Sequence, residues 1–158
     1  MSRDRAINAL IKGIVAADTA TKQELGRRFA FGLGLIPGSP GADGGIDGSG
    51  RWNDLNIYFQ SKLNSRNLRA EYADSFYAKL VRFKADIGLM LAGVGYTGSN
   101  RPLAGFRNRL LEFPDVDRYK IHLLSLRDIF AENQAFEETV RDLPPLRQLT
   151  REVWEDLS

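Results

Sequence analysis

Cysteine is missing from all 158 residues. That excludes disulfides and thiolate metal ligands, and it fits a cytoplasmic protein. Histidine is nearly missing too. The single one, His122, lies in the apolar run "YKIHLLSL" with no partner motif nearby, so it reads as a core or rim residue rather than a catalytic one. No apolar run approaches the roughly 20 residues that cross a bilayer; "IGLMLAGVG" is the longest kind present. The start, "MSRDRAINALIKG", has an early acid, a helical apolar period and no small-residue cleavage site, so it does not read as a signal peptide. A large charge excess is also lacking. The formal net charge is +2 and the pI about 9.0, a mildly basic balance that permits a nucleic-acid partner without demanding one. The glycine-rich "GLGLIPGSPGADGG" has no following G-K-[ST], so it is not read as a phosphate-binding P-loop. No internal repeat is visible.

What is present is enough apolar material, 43% of residues, for one compact domain with its own core, and a charged fraction, 27%, at which disorder is not the default. Residues 3 to about 17 carry Ile7, Leu10, Ile11, Ile14 and Val15 at helical spacing. Thr21 and Glu24 form a capping box that predicts a second helix over 22–32, with Leu25 and Phe29 on its inner face. The two prolines and six glycines of "FGLGLIPGSPGADGG" must end it. A short strand is expected over Leu33 to Ile36, the start of another at 45–48, a turn in "GSGRWND", and the strongest strand of the chain in "LNIYFQSKL". A helix over 70–84 follows, with Tyr72, Phe76, Leu80 and Phe83 on one stripe. "DIGLMLAGVGY" reads as a strand buried on both faces, "GSNRPLAGFRNRLLEF" as a cap and helix, and "YKIHLLSL" as a last strand. From about 126 the chain reads as helical, broken near Pro144 and Pro145. The first strands are close enough for a hairpin, and the later ones are separated by helices long enough for crossovers. The expected fold is therefore an α/β sandwich with a mixed sheet. It forms a single domain over 1–158, with a core of about 20–130 on which helix 3–17 and the region 126–158 pack.

The segment "GADGGIDGSGRWNDLNIYFQSKL", residues 41–63, is costly to explain by packing alone. Asp43 and Asp47 stand four apart among five glycines, and about a dozen residues later Gln60 and Lys62 project from one face of the strong strand, about 7 Å apart. A lysine beside an amide is expensive to bury, so that face either opens to solvent or meets an anion. Turn chemistry would also suit the two aspartates, and an exposed sheet face the polar pair. A carboxylate from the preceding hairpin arm would reach Gln60 and Lys62, and the glycines let backbone approach closely. Carboxylate and amide oxygens suit a hard divalent cation such as Mg²⁺, and an adjacent ammonium can polarise a water that attacks phosphorus. Such a set serves phosphodiester hydrolysis.

The pattern "DGGIDG" followed by "FQSK" resembles the PD-(D/E)xK nuclease superfamily, and within it the Mrr-type restriction endonucleases, in which glutamine stands for the glutamate of the second half-motif. The resemblance is sharp over residues 43–62 and continues through the order of elements to about 130. It implies a restriction-endonuclease-like three-layer sandwich with a central mixed sheet flanked by helices. It further implies Asp47 and Gln60 as metal ligands, Lys62 as the catalytic lysine, and Mg²⁺ as cofactor, with Mn²⁺ able to substitute. Asp43 is an accessory acid. Glu24 stands where many members place an acid on the first core helix, a role that competes with its place in the capping box.

The implied function is metal-dependent endonucleolytic cleavage of double-stranded or branched DNA, in restriction or repair. Arg51 and Trp52, between the acid and the strand, and Ser99, at the opening of a helix, are the expected DNA contacts. Cutting two antiparallel strands with one catalytic set per chain favours a homodimer. Phe136, Val140, Leu143, Leu146, Leu149 and Trp154 are either its contact or a cover for the sheet. Two alternatives stay open: a nucleic-acid-binding or assembly module that kept the fold without cutting, and a ribonuclease on the same scaffold.

Overall fold

A computed structural model describes residues 2–38, 47–98 and 105–147. Asp43, Ser99, Leu149 and Trp154 fall outside these residues.

Two helices open the chain, α1 (Ser2–Val15) and α2 (Thr19–Gly32). The α2 cap is Asp18, whose carboxylate accepts from the Thr21 amide at 2.7 Å. The expected Thr21 cap is therefore corrected by three residues. Asp18 has the extended backbone an N-cap needs, and its short acid satisfies an otherwise orphaned amide. The helix stops at Gly32 because Gly34 turns back with φ +85°. A Cβ on Gly34 would lie 2.8 Å from the Pro145 carbonyl oxygen, so this glycine also admits the C-terminal segment.

Five strands follow in spatial order β1-β2-β3-β4-β5. The edge strand β1 is only Ile36–Pro37, later and shorter than expected. β2 (Gly48–Trp52) and β3 (Leu55–Lys62) form an antiparallel hairpin in which Trp52 faces Leu55. "GSGRW" is thus strand and not turn. The turn is the two residues Asn53 and Asp54, both at positive φ (52° and 64°), the primed geometry that matches strand twist. From β3 the chain crosses through α3 (Ala70–Arg82) to β4 (Ile87–Ala92), parallel to β3. It then crosses through α4 (Phe106–Glu112) to β5 (Lys120–Ser125), parallel to β4. α5 (Leu126–Ala131) and α6 (Gln134–Val140) close the described chain. The break between them falls at Glu132, in the left-handed conformation, well before the prolines.

All six residues of β4 are buried, as its unbroken apolar run requires. Two cores result, one on each face of the sheet. Ile57, Phe59, Leu89, Leu91 and Leu124 pack with residues of α1, α2, α5 and α6. Tyr58, Met90 and Ala92 pack against Phe76 and Leu80 of α3 and Phe106 and Leu110 of α4. The protein is a three-layer α/β sandwich with a mixed five-stranded sheet. Phe136, Val140 and Leu143 belong to the first core, so these three cover the sheet, whereas Leu146 is exposed. Among the described residues no helix is long and apolar enough to cross a membrane.

Candidate active site

The β2–β3 ladder pairs Gly48 with Phe59, so Asp47, one residue earlier, stands opposite Gln60. Here β2 begins, and β3 holds Asp47 by both its backbone and its side chain. The Asp47 amide donates to the Phe59 carbonyl at 3.1 Å. The Ser61 amide, which a longer β2 would have met with a carbonyl, donates instead to Asp47 Oδ2 at 2.5 Å, and the Ser61 hydroxyl donates to the same oxygen at 2.8 Å. Oδ1 accepts no hydrogen bond among the described residues. Burial pushes the Asp47 carboxyl above the ordinary range, against the two Ser61 bonds and the positive charge of Lys62. An acid whose burial outweighs its hydrogen bonds has room for a further positive partner.

Gln60 is buried at 4% exposure, and its Oε1 accepts from the Tyr58 hydroxyl at 2.9 Å. Tyr58 is itself enclosed, its ring stacked on Phe83 at 5.6 Å, and burial followed by the Asp47 charge pushes its pKa up. Its hydroxyl therefore keeps the proton that it donates to Gln60 Oε1. A carbonyl oxygen has two lone pairs, so one remains. Lys62 is half-buried two residues on, on the same side of β3, and its ammonium makes no hydrogen bond or ion pair among the described residues.

The third wall is α2. An added Cβ on Gly26 would stand 2.4 Å from Ser61 Oγ, 3.1 Å from Asp47 Cγ and 3.2 Å from Oδ1, so only glycine lets the helix come this close. Glu24, two residues earlier, is about 200° round the helix from Gly26. It is partly exposed and bonds Arg27 at 2.6 Å, while Arg27 Nε also donates to the Gly38 carbonyl at 2.7 Å. The structure turns Glu24 away from Asp47, because the helix face that meets the acid is the one bearing Gly26.

Of the residues expected from sequence, Asp47, Gln60 and Lys62 come together at one end of the hairpin. Arg51 and Trp52 lie at the other end, about 14 and 17 Å along the strand from Asp47. Both are exposed there, and Arg51 donates to Asn56 at 2.8 Å. Asp43 and Ser99 lie outside the described residues. His122 has a partner that its own sequence neighbourhood does not show: Nε2 lies 2.7 Å from Asp142 Oδ2, and Lys120 binds the same carboxylate at 2.9 Å. This cluster joins β5 to the segment after α6. Gly26, Ser61 and Tyr58 belong to the site and were not expected in it. Only Gly26 carried a signal, an isolated glycine inside a helical pattern.

Among the described residues no three His, Cys, Asp or Glu side chains cluster as metal ligands. Asp47 and Gln60, with water, are the residues that would hold a divalent ion here. That donor set fits Mg²⁺, which keeps several waters and takes one or two carboxylates. Comparison with protein-family models, with curated proteins and with solved structures finds no match for this chain.

Proposed function

We propose that this protein is a Mg²⁺-dependent DNA endonuclease of the Mrr-like PD-(D/E)xK type, on a restriction-endonuclease-like fold. The observation that carries it is the register of the β2–β3 ladder: a half-buried carboxylate with a free oxygen stands opposite a buried amide with a free lone pair, beside an uncommitted lysine. The order of elements supports it as well, with a helix, three antiparallel strands, a helix and a parallel strand around that register. Asp47 and Gln60 would hold the metal. When bound, the ion supplies charge to offset the anion that develops at phosphorus. Lys62 orients the attacking water and takes up developing negative charge through its three donors. Ser61 and Tyr58 hold the acid and the amide in place, and Gly26 keeps α2 close enough to exclude bulk water from one side.

The test is cleavage of supercoiled plasmid in Mg²⁺, wild type beside Lys62→Ala. Open-circular or linear product from the wild type alone is the expected result. A wild-type protein that binds the plasmid and never cuts it would leave a binding module instead. Cleavage of RNA and not DNA would move the same chemistry to a ribonuclease.

A further inference from the structure

Among the described residues, Asp47, Gln60 and Lys62 would engage one phosphodiester and leave the rest of a nucleic-acid strand to other groups. Beside these three residues lies a cleft of about 350 Å³ lined by Lys22, Asn64, Arg66, Asn67, Arg69 and Tyr72, with Ser65 between them. Among the described lining residues three side chains are cationic and none is acidic. Lys22 and Arg66 make no side-chain hydrogen bond or ion pair among the described residues, and Arg69 pairs only with the exposed Glu71, at 2.7 Å. Two unpaired cations beside a third whose only partner is an exposed acid repel one another, and that arrangement is relieved by a bound anion.

The cleft is lined by the segment that leaves the end of β3 bearing Gln60 and Lys62. Lys22 sits one turn before Gly26 on the same face of α2, about 6 Å along the axis. Asn64 follows Ser61 by three residues, and Arg66 lies no more than about 14 Å of extended chain from Lys62. The floor is pinned. Leu68 is fully buried, its amide donates to the Gly95 carbonyl at 2.9 Å, and its own carbonyl accepts from Thr97 at 2.9 Å. The Gly93 amide donates to the Lys62 carbonyl at 3.1 Å. Asn64 donates to the Tyr72 hydroxyl at 3.2 Å, which sets both the amide and the ring. Pinned backbone, two free cations, an oriented amide and a tyrosine are the parts of a phosphate-backbone site.

We infer that this cleft holds the phosphodiester backbone of one DNA strand, within about four nucleotides of the bond placed at Lys62, taking ~3.4 Å of rise per nucleotide. The identity of the polyanion rests on the endonuclease reading; the anion chemistry of the cleft does not. The test is anisotropy titration of a labelled random-sequence duplex by the full chain in EDTA, so that no cutting occurs, over a series of salt concentrations. The variants are Lys22→Ala/Arg66→Ala and, as a control of equal charge, Arg82→Ala/Lys84→Ala at the opposite end of the sheet. The cleft variant should bind at least about tenfold more weakly and lower the slope of log affinity against log salt by about 2, one per lost phosphate contact. The control pair should stay near wild type. A cleft variant that binds like wild type, a control pair that loses as much, or a wild type that binds no duplex overturns the proposal. So does a cleft occupied by millimolar inorganic phosphate in a protein that binds no strand. A wild type that binds through the cleft and never cuts in Mg²⁺ refutes the nuclease and leaves the cleft standing. A wild type that cuts while its cleft variant binds normally does the reverse.

Discussion

Asp47 and Asp142 are both largely withdrawn from water, and their surroundings move them in opposite directions. At Asp142, burial alone would raise the carboxyl, but the hydrogen bonds and charges of Lys120 and His122 outweigh it and hold the acid below its usual range. Its side chain has Lys120 and His122 in contact, at 2.9 and 2.7 Å. At Asp47, burial wins over the two Ser61 bonds and the charge of Lys62, and the carboxyl is raised. One acid is satisfied by its own chain and fastens β5 to the segment after α6. The other is held at a cost to stability, with one oxygen free, beside a lysine that does not close on it. A buried acid left short of positive charge is a functional candidate for a stated physical reason, whereas a paired one needs only a structural account.

The sharpest way to break this comparison is catalytic. Asp47→Ala should reduce plasmid cleavage to background, and Lys62→Ala should lower it by about 10²–10⁴, the usual worth of a positioned proton-transfer group. Asp142→Asn should cut at the wild-type rate, since it touches neither β3 nor α2. An Asp47→Ala protein that still cuts would remove the assignment of the metal ligand.

The supports of Asp47 and Gln60 should matter next. Tyr58→Phe deletes the donor that orients Gln60, and an effect of about 10–100-fold on cleavage is expected, as for partners that orient metal ligands. The loss should shrink as Mg²⁺ is raised, a response that a mere folding defect would not show. Gly26→Ala should separate function from folding. Alanine favours a helix over glycine by about 1 kcal/mol, which offsets the local crowding, yet its Cβ displaces the Ser61 hydroxyl from Asp47. Thermal melting near wild type with slowed cleavage is the expected pair of results. Full activity would show that the close approach of α2 is not needed.

Stability should then move in opposite senses at the two acids. In EDTA near neutral pH, Asp47→Asn should raise the melting temperature and Asp142→Asn should lower it. Each change is expected at about 2–4 °C, which is what ~1 kcal/mol amounts to in a chain of this size. Equal signs would contradict the opposed environments.

The smallest effect is the pH dependence of those differences. A lowered folded pKa means that Asp142 contributes stability above the unfolded carboxyl value of about 3.9 and loses it as pH falls through the folded value. A raised folded pKa means the reverse for Asp47: its unfavourable contribution is absent below the unfolded value and grows as pH rises through the folded one. Melting curves from pH 3 to 7 should therefore show both mutant differences shrinking toward acid.

Much of this architecture was legible in the residues. β4 was recognisable because six consecutive apolar positions suit only a strand covered on both sides. β3 and α3 were recognisable because alternation and helical period leave few other solutions. The pairing of Gln60 and Lys62 on one side of β3 follows from the two-residue repeat of a strand. The α2 cap, the true hairpin turn and the length of β1 were missed, because each depends on which of several neighbouring polar or glycine residues takes a special backbone angle, and composition does not choose among them. At the site, residue type and spacing brought the acid, the amide and the lysine to one end of the hairpin, since a strand's period carries that information locally. Spacing could not tell that Arg51 and Trp52 stand at the far end of the hairpin, because that depends on where the turn falls. Nor could it tell that Glu24 turns away while Gly26 comes in, or that His122 meets Asp142 from twenty residues off. Those are facts of how α2 and the end of α6 pack on the sheet. Packing is decided by shapes meeting across the core, which no local pattern records.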